Sequence, residues 1–325
     1  MPMDTNTLRS WQPWAGWRSW PPVSGSSASE RRGASDRLLA RMSAVCAALP
    51  PRGAMRLARG VGALRRWTRP GEAAHVQANL AALRVGPGSG RGRIPGAAGI
   101  ERETTATFEA FGLFLVEFLR GLSLTPAQIL CGWEVTGLAH LERLCTQPGG
   151  FLLAGAHTGN WEQLGALAVL TGRRIVAPVE TQLHPCLSPA IKRAKTRWGI
   201  RSVPARTGLR SLLAVLRAGE LVALPLDGGA FRRGRRVPFG AARLRLAQGA
   251  SRLARLAGCP IVPVFSLRTG FMQQRVRILR PLPPPPRADR RAEERLQRLL
   301  GALLYRHLRD CVGQWCLFRR LPWYD

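Results

Sequence analysis

From Phe151 onward, short apolar runs of strand length alternate with helix-length segments closed by glycine, and this alternation constrains the fold more than any other feature. Residues 151–154, 174–179, 200–203, 221–226, 261–267 and 272–279 read as strands. Helical patterns lie between them and stop at Gly172, Gly199, Gly219 and Gly258. Alternation of this kind implies an α/β fold with a mostly parallel central sheet flanked by helices. The run 272–279 alternates enough to be an edge strand.

The first strand runs into Gly155-Ala-His157-Thr-Gly-Asn160-Trp-Glu162-Gln163. Asn160 suits a helix N-cap, and Gln163 three residues on suits a capping box. That places His157 at the carboxyl end of a strand and Glu162 in a first helical turn, on the sheet edge where α/β proteins hold ligands. If Glu162 accepts the proton of one ring nitrogen of His157, the other nitrogen becomes a base for a substrate hydroxyl. The competing reading is a loop histidine and a carboxylate that favours the positive end of its helix. Asp227-Gly228-Gly229 falls at the carboxyl end of the 221–226 strand, on the same edge as His157.

The chain has 325 residues, 46% of them hydrophobic, and a formal charge of +30. Lysine occurs only at 192 and 195, so arginine carries nearly all of that charge. Such a balance favours anionic partners: nucleic acid, phosphorylated lipid head groups or acidic carrier proteins. No known nucleic-acid-binding module is present, so nucleic acid is not expected as a partner. Seven cysteines without a C-x-x-C pair fit neither a disulfide framework nor a common zinc site, and no metal or other cofactor is expected. No uncharged apolar run reaches membrane-spanning length, and the first residues lack the apolar core of a signal peptide. The chain is therefore expected in the cytosol or on a membrane face, without crossing it.

Residues 1–35 read as a disordered tail in which Trp11, Trp14, Trp17 and Trp20 recur every third residue, an aromatic anchor for a lipid interface or a tail without structure. A single domain is expected over 36–325, with a helical part (36–125) leading into an α/β core (126–325). Within 36–67, broken at Pro50-Pro51, Leu38, Leu39, Met42, Val45, Met55, Leu57, Val61 and Leu64 face one way among many arginines. Such basic amphipathic helices either lie on an anionic membrane or pack on a core. Val76–Leu83 is also helical, and the Gly/Pro-rich stretch 86–99 is a linker. The 101–122 pattern carries Phe108, Phe111, Leu115, Phe118, Leu119 and Leu122 on one stripe, suited to a core or to the wall of an acyl channel.

Several blocks, taken in order, resemble the bacterial lipid A biosynthesis acyltransferases, the lauroyl and myristoyl transferases of the lysophospholipid acyltransferase superfamily. They are Val76-Gln-Ala-Asn79-Leu80, Gly132-Trp-Glu-Val-Thr-Gly137, Gly155-Ala-His157-Thr-Gly-Asn160-Trp-Glu162, Leu224-Pro-Leu-Asp227, Val237-Pro-Phe-Gly240, Leu253-Ala-Arg-Leu-Ala-Gly258-Cys-Pro-Ile-Val-Pro263 and Gln314-Trp315. Any one of them is weak evidence, and their colinearity over about 37–325 is strong. The sequence departs from the family in having Gly228 where a polar residue usually follows the aspartate, in its reduced Phe239-Gly240 block, and in lacking the hydrophobic N-terminal anchor.

The resemblance implies a glycerol-3-phosphate acyltransferase-like fold at the cytoplasmic face of the inner membrane. It implies transfer of a fatty acyl chain from an acyl carrier protein thioester to a hydroxyl of a phosphorylated glucosamine lipid, with His157 as base and Glu162 orienting it. Attack is direct, in keeping with the absence of G-x-S-x-G around Ser251. Among the basic residues of 192–197, Arg197 is the expected helper at the reacting centre. Asn160, Asp227, Arg232, Arg233 and Arg236 are candidates for holding substrate, the arginines because their forks suit phosphate. A rival assignment keeps the chemistry but uses acyl-CoA and another membrane glycolipid such as a mannolipid; a more distant one is a basic nucleic-acid-binding protein.

Overall fold

The computed structural model describes residues 33–84, 97–180, 187–228, 234–240 and 242–324. The tryptophan repeat, most of the tail, most of the 86–99 linker, and Arg232 and Arg233 lie outside the described residues. In chain order the strands are Trp133–Thr136 (β1), Leu152–Gly155 (β2), Ile175–Val179 (β3), Ile200–Pro204 (β4), Leu221–Pro225 (β5), Arg235–Phe239 (β6), Ala242–Leu246 (β7), Ile261–Gly270 (β8), Gln273–Ile278 (β9) and Trp323–Tyr324 (β10). Seven of them form a sheet in the order β1-β9-β8-β2-β5-β3-β4, in which every neighbouring pair is parallel except the β8–β9 hairpin. The mostly parallel α/β sheet expected from the alternation is present. The antiparallel β6–β7 hairpin and β10 form a separate three-stranded sheet.

Successive residues of the central strands point into different cores, which is why their sequences are apolar throughout rather than alternating. Leu153, Ile175, Leu221 and Val262 join the core built with Phe118, Leu119, Leu141 and Ile191. Their neighbours Leu152, Val176, Val222 and Ile261 join the opposite core with Leu212, Leu253, Leu300 and Leu304. The second group comes from helices Leu209–Arg217, Gly249–Ala257 and Arg290–Asp310. The run at 272–279 is not the edge: β1, which the sequence pattern did not distinguish as a strand, pairs with β9 and covers it.

The N-terminal helices Ala34–Ala48 and Pro51–Thr68 pack on the long helix Ala97–Gly121 in an unusual sense. Pro51–Thr68 buries its small residues Ala54, Ala58 and Gly62. A side chain at Gly62 would strike the Phe108 backbone, and one at Gly112 would strike that of Ala58, so the two helices approach as closely as glycine permits. The large apolar residues point the other way: Leu57 is 40%, Leu64 58% and Trp67 80% exposed, with Leu38 and Val45 exposed on the preceding helix. Pro51–Thr68 thus packs on the core through its small residues, while Leu57 and Leu64 of the expected apolar face stay exposed. The aromatic stripe on Ala97–Gly121 is core, with Phe108 and Phe118 fully buried.

Helix Ala97–Gly121 is locked to the sheet by a buried ion pair. Glu117 accepts from Arg268 through Nε (3.0 Å) and Nη2 (3.0 Å), from the Met272 amide (2.9 Å) and from Asn160 Nδ2 (3.2 Å). Glu117 is fully buried and Arg268 nearly so, and removing one partner strands the other's charge in a low-dielectric interior. Glu117→Ala and Arg268→Ala are each expected to destabilise by about 3–5 kcal/mol. The double mutant should cost markedly less than the sum of the two, as read from a denaturant double-mutant cycle; additive losses would show that the pair is not coupled.

Candidate active site

Register alone brings His157 to Asp227. Gly155 at the end of β2 pairs with Pro225 at the end of β5, and each candidate residue lies two positions beyond. The ladder continues with Leu226 N donating to Gly155 O at 2.8 Å. His157 Nδ1 donates to Asp227 Oδ1 at 2.9 Å, and the His157 amide donates to Oδ2 at 3.0 Å. Trp315 Nε1 also donates to Oδ2, at 2.8 Å. With a buried carboxylate on Nδ1, the neutral ring carries its proton there and offers Nε2 as the basic nitrogen. Asp227 is fully buried, whereas the His157 side chain is 25% exposed. Burial works to lower the His157 pKa, but the Asp227 charge and hydrogen bond outweigh it and hold the imidazole above its ordinary value. Burial likewise works to raise Asp227, and its bonds to His157 and Trp315 hold it below the ordinary carboxylate range.

At Nδ1 the partner is therefore Asp227 and not the expected Glu162, whose charge nonetheless favours the protonated ring. The Glu162 carboxylate pairs with Lys195, which is 2% exposed on helix Ser188–Thr196. The turn after His157 does not begin a regular helix either: Gln163–Ala166 is a 3-10 turn, and the α-helix starts at Leu167. Only half of the expected capping box forms. Asn160 Oδ1 accepts the Gln163 amide (3.3 Å), while the Gln163 side chain donates to the Glu117 carbonyl instead. Gly159 has φ +59°, and a side chain there would collide with Gln274 and Ser266, so the turn needs glycine.

The remaining candidates separate by position. Asn160 is fully buried with its amide group spent on Glu117 and its backbone N–H on Gln274 Oε1 (3.2 Å), so it holds the turn rather than substrate. Asp227 sits under the His157 ring and meets that residue and Trp315, not the cavity. Arg197 is exposed and donates to the Leu122 carbonyl (3.3 Å), away from the cavity; the nearby basic residue in the site is Lys195. Arg236 stacks on Tyr324 at 3.9 Å on the small sheet and does not line the cavity. Ser251 is buried and bonded to Gln297 (2.7 Å).

A cavity of about 550 Å³ opens beside His157. Its walls are mostly apolar, including Leu164, Ile175, Val179, Leu212 and Leu253, and its polar groups are His157, Glu162, Lys195, Glu180, Thr207 and Arg319. Trp161 also lines it, stacked on Phe114 at 3.8 Å and edge-on to the His157 ring at 5.2 Å. An apolar pocket with a few convergent polar groups suits a chain-like ligand with one reactive end. Residues of the C-terminal segment support His157. Cys316 N donates to His157 O (2.9 Å), and Gln314 exchanges two hydrogen bonds with the Arg268 backbone (2.7 and 2.9 Å). Gln314-Trp315 thus has a structural meaning that its sequence position alone did not show. Arg319 was not singled out, and no local spacing marks it.

A family model for bacterial lipid A biosynthesis acyltransferases matches residues 32–291. No curated protein matches the chain in sequence. Among solved structures, the chain is similar to the 1-acyl-sn-glycerophosphate (LPA) acyltransferase PlsC from Thermotoga maritima. The two are 15% identical with a TM-score of 0.38, over 66% of this chain and 84% of that one. With the match spanning most of its length, the chain belongs to the bacterial lipid A biosynthesis acyltransferase family.

Proposed function

We propose that this acyltransferase moves a fatty acyl chain from an acyl carrier protein thioester to a hydroxyl of a phosphorylated lipid A precursor, with His157 as general base. The observation that carries this reading is the Nδ1–Asp227 bond, which leaves His157 Nε2 as the basic nitrogen beside an apolar cavity. The acceptor oxygen attacks the thioester carbonyl while Nε2 takes its proton. The tetrahedral intermediate then collapses, the C–S bond breaks, and the imidazolium returns the proton to the departing sulfur. The products are an ester and a free thiol. Asp227 is a positioning residue that fixes the tautomer and steadies the imidazolium. Lys195, held by Glu162, supplies positive charge for the developing oxyanion. The Asn160 amide is committed to Gln274 and cannot serve that purpose.

Attachment to the cytoplasmic face of the inner membrane belongs to the same reading. Among the described residues no helix is long and apolar enough to cross a membrane. Leu57, Leu64 and Trp67 are exposed on one helix together with Arg52, Arg56 and Arg59, a combination suited to an anionic lipid interface.

His157→Ala should abolish transfer while leaving the melting transition in place, and wild-type turnover would sink the assignment. The wild-type kcat/KM should fall as pH drops through a value above the ordinary histidine pKa of about 6.5, because only the neutral ring is a base. Asp227→Asn should move that inflection to lower pH and reduce kcat by roughly 10²–10⁴-fold, since an amide cannot accept all three donors and favours the wrong tautomer. An unmoved inflection would exclude His157 as the titrating base. Mass spectrometry of lipids after incubation with acyl carrier protein or CoA thioesters identifies donor and acceptor. On sedimented vesicles, replacing Leu57, Leu64 and Trp67 together by serine should release the protein from phosphatidylglycerol-rich membranes; retained binding would place the docking surface elsewhere.

A further inference from the structure

Three of the charged groups at the cavity are already committed: Glu162 to Lys195, both largely buried, and His157 to Asp227. The third pair, Arg319 with Glu180, differs. Arg319 Nη2 meets Glu180 Oε2 at 3.1 Å, with the side chains 46% and 64% exposed. An ion pair this open is weak, so a stronger anion can displace the carboxylate.

The backbone carrying Arg319 is nonetheless rigidly held. Its carbonyl accepts from Asn79 Nδ2 at 2.8 Å, and Asn79 Oδ1 accepts the Leu321 amide (3.0 Å) and Trp323 Nε1 (3.1 Å). On the other side the Phe318 ring packs on Phe108 and Phe111, under the Arg65 guanidinium at 4.0 Å. A fixed backbone that presents a planar cationic fork at the solvent-facing part of a reaction cavity is preorganised for a phosphate. The positive charge also bears on His157, where it opposes protonation of the ring.

We propose that Arg319 is an anion subsite that binds a substrate phosphate, with Glu180 occupying the guanidinium until that phosphate arrives. Two phosphates reach this cavity under the proposed function, on which the inference rests: that of a phosphopantetheine thioester and that of the lipid acceptor. Binding of either exchanges one ionic partner of Arg319 for another, with no covalent step.

The test compares the full-length wild type with Arg319→Ala, Arg319→Lys and Glu180→Gln, each checked for an unchanged melting transition. Calorimetry reads affinity for 4′-phosphopantetheine against pantetheine, and for a phosphorylated against a dephosphorylated glucosamine disaccharide lipid in micelles. The wild type should prefer the phosphorylated member of one pair by roughly ten- to hundredfold, and Arg319→Ala should erase that preference. Arg319→Lys should retain part of it, because the charge survives and the fork does not. Glu180→Gln should tighten phosphate binding by roughly two- to fivefold. The pair whose preference vanishes names the source of the phosphate. In turnover, the Arg319→Ala loss should fall on the KM of that same substrate. Equal preferences in wild type and Arg319→Ala, or none in either, would overturn the subsite. Because affinity is read without turnover, a phosphate preference without acyl transfer would instead refute the proposed function and leave the subsite standing.

Discussion

The Asp227 carboxylate is the point on which the site's geometry rests. A buried negative charge is tolerable only where hydrogen bonds replace its hydration, and here three N–H groups do so: the His157 ring, the His157 amide and the Trp315 indole. These donors belong to the end of β2 and to the C-terminal segment, while the carboxylate stands at the end of β5. One side chain therefore joins two sheet strands to a distant part of the chain, and with its oxygens engaged it has little freedom to turn. The orientation of the ring and its tautomer follow from that constraint.

A second buried carboxylate does for the backbone what Asp227 does for the ring. Glu117 draws together Arg268, the Met272 amide and Asn160, and so holds the turn that follows His157. It stands on helix Ala97–Gly121, against which Pro51–Thr68 packs through Ala58 and Gly62. The exposed apolar surface and the imidazole are thus linked through a short series of close contacts, none of which relies on a flexible side chain at the helix interface. The surface proposed to meet lipid and the histidine proposed as the base are held in one frame.

The parallel sheet was legible because strands buried on both sides are apolar throughout, and glycine closed most of the helices where the pattern ended. His157 and Asp227 could be placed on one edge of the sheet for the same reason. Their pairing was not legible. H-x-x-x-x-E suggests a local partner, whereas register supplies one seventy positions away. Glu162 was near in sequence but faces Lys195, whose burial no helix pattern rich in basic residues distinguishes from that of Lys192 or Arg197. Asn160 looked like a functional polar residue because its bonds are long-range, to Glu117 and Gln274. Arg319 escaped notice because its position depends on Asn79, far upstream. Local rules capture elements and their ends; partners set by topology lie beyond them.

The indole of Trp315 has a consequence for how the protein is made. During synthesis the strands that carry His157 and Asp227 leave the ribosome well before residue 315, so their carboxylate first meets two of its three donors. Until the C-terminal segment docks, the third site on Asp227 stays open to water and the base is less firmly set. The site is therefore completed by residues that emerge long after its strands, and the imidazole is fully held only once the Trp315 indole has docked.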